Sequence, residues 1–525
     1  MKPNAGFLSL AEELQFNILS FLSCRDILRC TSVCKALRQT YMSSSELQYI
    51  VELSGQRLLR VPNTDNVNIP VSKRLQLLRD KAHAWFKVDA HSFETVSLPK
   101  NMHSDEKFVV DGHIYLWDKD EDMATIVPIL PKPSQKTVKR DWSPGTLFSV
   151  PDSDGLDVFM DPAQNLIATA YAVTDDTLQL NEETLYIDLR VLDSDGVHPH
   201  AAGRTLFLSV PPASKDKCLV TESAKLKGFG RHLALRCSFV YPFEGMWQLH
   251  IWDWQHSTTS NSVLSGTSFS PTPIDFCFLE NNRLLVVAAD LKLYSIEDMS
   301  QTPQLLACFM MPVSFPNVRR FLPKDHIDSS PQIQIQQAMY TSDPQDRLLC
   351  ITMEARWAYV ISTRIFFNLD GMVAATPVPW ECWGPSNTRI FELSGESIVH
   401  VSGNRILQAL LEGTSASGSL KHTLHIMDFS PLAVTNRRGL GRVVKEPSTI
   451  LDFDEWTGRP AKSLTTSLPY VEVLLDRKFG SAESELADVW VDKDRIYLLN
   501  RKWDQEVVGS AHYAIEYNEL EVVDV

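Results

Sequence analysis

The hydrophobic period of this chain changes once, near residue 89, and that change divides it. Before it, apolar residues recur at intervals of three and four, the spacing of one helix face. After it, apolar and polar residues alternate in short runs closed by turn residues, the pattern of half-buried strands. Helices first and strands afterwards point to an α+β multidomain chain, since alternating α/β folds interleave the two. At 525 residues the chain is too long for one ordinary core, unless a large repeat ring takes up most of the length. The boundaries expected are residues 1–45 for a short helical module, 46–88 for a helical connector and 89–525 for an all-β body.

In the body one element keeps returning, an apolar-x-apolar run closed by a polar or acidic turn. Its copies are residues 114–118, 189–193, 249–253, 291–297, 364–368, 424–428 and 495–500. Most follow a polar turn and another apolar run, as 161–165 then 166–171, 279–283 then 284–289, and 343–347 then 348–353. Strand, polar turn, strand is the grammar of a β-propeller blade. The units resemble degenerate WD-repeat blades, with Trp117-Asp118 and Trp252-Asp253 nearest to the pattern. Their spacing is mostly longer than the ~40–45 residues of a plain repeat, and insertions at 178–183 and 410–420 would account for the excess. The expectation is a propeller of about seven blades, with six or eight open. A pair of β-sandwiches is the rival, but radial closure leaves fewer exposed strand edges.

Residues 8–45 read as three short helices. Ser9-Leu10-Ala11-Glu12 has the form of a capping box, and Ser23-Cys24-Arg25-Asp26 opens a second helix in a similar way. Leu10, Leu14, Ile18, Phe21 and Leu22 recur at helical spacing, and Val33, Leu37 and Tyr41 fall four apart on a third segment. Fewer than forty residues in three helices cannot hide so many apolar side chains. Either another protein covers the surplus, or the rest of this chain does.

The residues themselves carry a resemblance. Leu10-Ala11-Glu12-Glu13-Leu14, Ile18-Leu19, Phe21-Leu22, Arg25-Asp26-Ile27-Leu28 and Val33-Cys34-Lys35 follow the order and spacing of the F-box motif, over less than a tenth of the chain. Ala11 stands where that family usually has proline, and Leu37 where it usually has tryptophan. The resemblance implies docking on a Skp-type adaptor and, through it, on a cullin–RING ubiquitin ligase. It also implies that Leu10, Glu13, Leu14, Ile18, Leu19, Leu28, Val33, Cys34 and Leu37 form that contact or the core behind it. In the connector, Leu47-Gln48-Tyr49, a loop over 61–70 and a helix from Ser72 to Trp85 are similar to the connectors of fungal F-box proteins.

Charge and cysteine usage narrow the function classes. Residues 1–88 hold 12 Lys and Arg against 7 Asp and Glu, a net +5; the rest hold 38 against 58, a net −20. An acidic body argues against nucleic-acid backbone binding, which needs clustered positive charge. Nine scattered cysteines without a C-x-x-C pair suggest neither a disulfide framework nor a zinc ribbon. No apolar run approaches the ~20 residues of a membrane span, and no secretory leader pattern opens the chain, so cytoplasm or nucleus is the expected location.

The search for chemistry yields little. Gly228-Phe229-Gly230 and Gly439-Leu440-Gly441 lack the rest of a phosphate-binding fingerprint. His198-Pro199-His200 reads as a solvated loop, and His422 and His425, an odd number apart on a strand, cannot share a metal. Trp117, Trp247, Trp252 and Trp490 read as strand core. Trp380 and Trp383, in a proline-rich run, are candidates for a rigid aromatic platform that binds a target. No catalytic residue, metal or cofactor is assigned. The reading is a substrate-recognition adaptor with an unidentified target protein. The alternatives are a scaffold that binds the adaptor without ubiquitin transfer, and a propeller-type enzyme with its site in the central channel.

Overall fold

The computed structural model describes residues 6–525 except 62–68, 89–91, 99–105, 111, 121, 132–136, 144, 152, 176–181, 209–217, 241–244, 269–273, 313–319, 322–339, 354–356, 371–375, 394–396, 415–419, 436–440, 454–459, 481–483, 493 and 509–510. The helical part comprises α1 (Glu12–Ser20), α2 (Cys24–Val33), α3 (Lys35–Ser43), α4 (Ser45–Gly55), the short strand β1 (Leu58–Arg60) and α5 (Val71–Ala84). The strand β2 (Glu94–Ser97) then begins the β-rich body.

Seven antiparallel sheets follow one another around a ring. Blade 1 is Glu106–Val110, His113–Asp118, Met123–Pro128 and Arg140–Trp142. Blade 2 is Asp154–Asp161, Leu166–Asp175, Glu182–Val191 and Thr205–Leu208. Blade 3 is Lys225–Phe229, His232–Val240, Gly245–Asp253 and Ser262–Ser268, with Cys218–Leu219 as a short extra strand. Blade 4 is Asp275–Glu280, Arg283–Val287, Leu291–Ser295 and Gln304–Phe309. Blade 5 is Arg320–Phe321, Leu348–Met353, Trp357–Ser362 and Thr388–Glu392. Blade 6 is Ile398–Ser402, Arg405–Thr414, Leu420–Asp428 and Tyr470–Phe479, with a fifth strand, Arg442–Val444, at its edge. Blade 7 is Ser484–Val491, Arg495–Val508 and Ala511–Asp524, and its outermost strand is β2. The ring is thus closed by pairing the strand that opens the body with the strand that ends it, Val96 against Leu520.

Each seam between blades holds its own apolar core. Tyr115, Trp117 and Met160 meet between blades 1 and 2, Phe159, Leu235 and Trp252 between 2 and 3, and Phe276, Leu249 and Ile251 between 3 and 4. Phe309, Tyr359 and Phe366 fill the seam of blades 4 and 5, Val360 and Met427 that of 5 and 6, Leu424 and Val489 that of 6 and 7, and Ile114 and Tyr497 that of 7 and 1. The first strands lie nearest the axis, where they bond to one another. Asp157 accepts from the Leu226 N–H at 2.6 Å, Lys227 pairs with Asp275 at 2.7 Å, and the Val491 N–H donates to His400 Nδ1 at 3.2 Å.

The acidic turns have a mechanical role. Asp161 accepts from the N–H groups of Ala163 and Gln164, and Asp492 from those of Asp494 and Arg495. Each carboxylate replaces the ladder bonds that a tight turn forfeits. Burial nevertheless pushes both carboxyls above their ordinary range.

Several local expectations are corrected. The recurring element is not one blade position: it is the second strand in blades 1 and 7, and the third in blades 2, 3, 4 and 6. In blade 5, residues 364–368 are not a strand; Thr363–Phe366 form a 3-10 turn after the third strand. The count still came out right because one element fell in each blade. Residues 410–414 belong to a strand, and the long excursions lie instead between the first two strands of blade 5 and after Asp428 in blade 6. Residues 178–181 lie outside the described set. Ser9 does not cap α1: it sits in a 3-10 turn, Phe7–Ser9, and its hydroxyl donates to the Gly6 carbonyl. Val33 ends α2, and the extended Cys34 separates it from α3, so Val33 shares no helix with Leu37.

Five imidazoles, four of them buried and His400 half-buried, set an expected pH dependence. Desolvation pushes His232, His250 and His400 down to about 4, and lowers His198 and His425 as well. Above the ordinary imidazole pKa of ~6.5 they are neutral both folded and unfolded. As pH falls below that value the unfolded chain takes up protons that the folded chain refuses, in His232, His250 and His400 until about 4, so stability is lost across that window. Denaturant unfolding should show these rings lowering stability from pH 7.5 to 5. His400→Gln should make that loss shallower. An equal stability at pH 7.5 and pH 5 would contradict the burial of these rings.

Candidate partner-docking site

The N-terminal helices close only part of their own surface. Ser23 caps α2 by accepting from the Asp26 N–H at 3.2 Å, and its hydroxyl donates to the Asp26 carboxylate at 2.7 Å. That hydroxyl holds the Asp26 carboxyl below its ordinary range. Leu19 of α1 and Ile27 of α2 are buried against Leu47 and Val51 of α4, with Phe16, Leu22, Leu28 and Tyr41 around them. The module's core is therefore finished by the first connector helix. Three helices of nine or ten residues have too little inner surface to finish it alone.

What α4 does not cover stays open. Leu14 is 51 % exposed, Phe21 90 % and Val33 76 %, and Leu8, Leu10, Ile18 and Met42 are exposed too. Leu14 and Ile18 of α1 and its C-cap Phe21 stand four and three residues apart, so they form a continuous stripe. Among the described residues these seven make up more than half of the large exposed hydrophobic side chains, although the module is less than a tenth of the chain. Of the nine residues singled out from the sequence, Leu10, Glu13, Leu14, Ile18 and Val33 are exposed, Leu28 and Cys34 half-buried, and Leu19 and Leu37 buried.

Residues 7–40 match the family model of the F-box domain. This segment is an F-box domain. No curated protein sequence matches the chain. Among solved structures it is similar to a streptogramin B lyase, at 6% identity and TM-score 0.32, over 82% of this chain and 97% of that one. It is similar to Chaetomium thermophilum Raptor at 8% identity and TM-score 0.35, over 98% of this chain and 39% of that one. A Bombyx mori GH32 β-fructofuranosidase follows at 10% identity and TM-score 0.25, over 86% and 98%. At such scores these likenesses carry no argument, and the seven-blade reading stands on the strand pairing alone.

The connector places the F-box on one face of the propeller. In an antiparallel blade, the turns from first to second strand and from third to fourth share a face. The connector meets turns of that set: Arg57 pairs with Asp346 of blade 5 at 2.6 Å, Lys81 with Asp494 of blade 7, and Gly55 lies against Leu432 after the third strand of blade 6. Glu52, paired with Arg79 at 3.2 Å, ties α4 to α5.

Trp380 and Trp383 are not a loop platform. They begin a helix, α6 (Trp380–Asn387), and are 4 % and 3 % exposed in the seam of blades 4 and 5. Trp383 stacks edge-on against Phe309 at 5.7 Å and donates to the Met310 carbonyl at 3.2 Å. Gly384 is required there, because a Cβ would sit 2.3 Å from the Trp380 ring. The two indoles are core, and neither is presented to a partner. Trp117, Trp252 and Trp490 are buried as expected, while Trp247 is half-buried. His198 is buried too, not solvated. Its Nε2 faces the Gln164 carbonyl at 2.9 Å and its Nδ1 accepts from the His200 N–H, so both ring nitrogens are occupied. Among the described residues no group of three His, Cys, Asp or Glu side chains is placed to hold a metal, and no helix is long and apolar enough to cross a membrane.

The two classes of F-box leucine should separate in unfolding measurements. Leu19→Ala opens a cavity and should cost ~2–5 kcal/mol. Leu14→Ala should change stability by less than about 0.5 kcal/mol, and Ser23→Ala should cost about 1 kcal/mol through the lost cap. Equal losses at Leu14 and Leu19 would mean that the α1 stripe is covered by this chain itself.

Proposed function

We propose that this chain is the substrate-receptor subunit of a Skp–cullin–F-box ubiquitin ligase. The observation that carries the reading is the exposed apolar surface of Leu10, Leu14, Ile18 and Phe21, together with Leu8, Val33 and Met42, on a module whose own core around Leu19 and Ile27 is already closed by α4. Leaving such side chains in water is unfavourable, and an adaptor groove that buries them turns that cost into binding energy. In this reading Leu10, Glu13, Leu14, Ile18 and Val33 touch the Skp-type adaptor directly. Leu28 and Cys34 edge the contact, and Leu19 and Leu37 support it from behind.

The propeller then receives a target protein on the face away from the connector. Transfer would proceed by proximity, with a target lysine held at high local concentration near charged ubiquitin. The reading assigns no acid, base, metal or cofactor to this chain, and it places the protein in the cytoplasm or nucleus.

Affinity purification with mass spectrometry under proteasome inhibition tests it, comparing wild type with Leu14→Asp plus Ile18→Asp. The adaptor and cullin should co-purify with wild type and be lost from the double variant, whose melting temperature should be unchanged. Undiminished adaptor on a folded double variant would overturn the reading. Adaptor without cullin would make the chain a non-ubiquitinating scaffold.

A further inference from the structure

The connector and the propeller meet at several points. β1 pairs with Tyr340–Ser342, Arg57 with Asp346 at 2.6 Å, and Lys81 with Asp494. Lys81 also lies over the Tyr340 ring at 5.6 Å, and Tyr340 packs against the apolar cluster of α4 and α5. These contacts brace a cavity of about 640 Å³ that opens to solvent. Arg57 and Lys81 line it from the connector, Arg405, Asp428 and Ser430 from blade 6, and Asp492 from blade 7.

The acceptors around this cavity are satisfied. Asp492 accepts from the N–H groups of Asp494 and Arg495, both at 2.8 Å, and from the Tyr497 hydroxyl at 2.7 Å. Asp428 accepts from the Ser430 N–H at 2.7 Å and from Arg405 Nε at 3.3 Å. The donors are not. Arg405 is clamped in place, its Nε on Asp428 and its guanidinium over the Trp85 ring at 4.4 Å. Among the described residues its two terminal nitrogens, Nη1 and Nη2, make no hydrogen bond. Ser430 is 4 % exposed, and its hydroxyl has no partner among the described residues either. Leaving a largely desolvated guanidinium short of partners is costly, and an occupant that accepts from it removes the cost.

We propose that this cavity is a binding site for a small monocarboxylate, held by the two terminal nitrogens of Arg405 through parallel bonds. A planar guanidinium fork matches a carboxylate geometrically, and a charged donor favours an anionic acceptor. The Ser430 hydroxyl adds a third donor. The surplus of donors excludes a cation. Charge limits the anion to a single unit, because Asp346, Asp428, Asp492 and Asp494 already stand against Arg57, Lys81 and Arg405; a phosphate dianion there meets net repulsion. The site does not depend on the ligase reading, since neither the F-box stripe nor a target protein takes part in it. Its walls come from both connector and propeller, so an occupant adds bonds between the two.

Titration of the full chain with trifluoroacetate, followed by fluorine NMR line broadening, tests the proposal. Wild type should bind the probe saturably. Acetate should displace it, and inorganic phosphate and glucose should do so roughly tenfold less well. Arg405→Lys keeps the charge without the fork and should weaken binding roughly tenfold, and Ser430→Ala about threefold. Should Arg405→Lys fail to fold, Ser430→Ala carries the comparison. No saturable binding by wild type, unchanged binding in the folded variants, or better displacement by phosphate or glucose overturns the proposal. Adaptor pull-down by Ser430→Ala should equal wild type, so a failed carboxylate site and a failed ligase reading give different results.

Discussion

The pairing of β2 with the C-terminal strand is the contact on which the rest of the structure depends. A blade is a sheet with two apolar faces, and neither face is covered until it has a neighbour on each side. Closing the ring supplies blade 7 with its outermost strand and blade 1 with its second neighbour, so that Leu98, Ile114, Trp490 and Leu520 become core instead of edge. The entropic cost of joining such distant residues grows only with the logarithm of their separation, whereas the apolar area covered grows with every blade. The same strand determines where the helical arm leaves the ring, because α5 ends just before it.

Apolar burial alone would leave the blades free to slide. Each seam adds at least one directional bond. Arg140 reaches the Leu192 carbonyl across blades 1 and 2, Gln164 the Gly230 carbonyl across 2 and 3, and Lys227 the Asp275 carboxylate across 3 and 4. Arg283 reaches the Phe366 carbonyl across 4 and 5, and the Leu348 N–H reaches Gly403 across 5 and 6. The Val491 N–H meets His400 across 6 and 7, and Arg495 meets the Leu130 carbonyl across 7 and 1. A buried polar group that loses its partner costs more than the bond is worth when made, so these bonds enforce one blade angle and one register. The F-box works in the opposite sense: its stripe is left uncovered inside the chain, and a surface that burial would have stabilised stays available for another molecule.

Much of this was legible in order along the chain. The change from helical to alternating period near residue 89 separated arm from body, and the acidic turns marked one element per blade, because an Asp that satisfies two turn N–H groups is a local device. The F-box helices were legible for the same reason, with Ser23 and Asp26 capping α2 from within four residues. Misreadings arose where distant groups decide. Trp380 and Trp383 lie among prolines, and only the space between blades 4 and 5 turns that run into a buried helix. His198, also in a turn-rich run, is drawn into the interior by Trp254, whose ring meets it edge-on at 4.9 Å.

The sequence by itself determined the periods, the turns, the Ser23 cap and the apolar residues of the α1 stripe, since each depends on residues a few positions apart. It did not determine which apolar side chains stay in water. Leu14 and Leu19 are the same residue on the same helix, and one is exposed while the other is sealed because α4 lies over only one side of α1. It could not show that β1 pairs with Tyr340–Ser342 or that Arg57 meets Asp346. Those contacts exist only once the ring has closed and brought blade 5 beneath the arm, so the placement of the F-box relative to the propeller belongs to the tertiary structure alone.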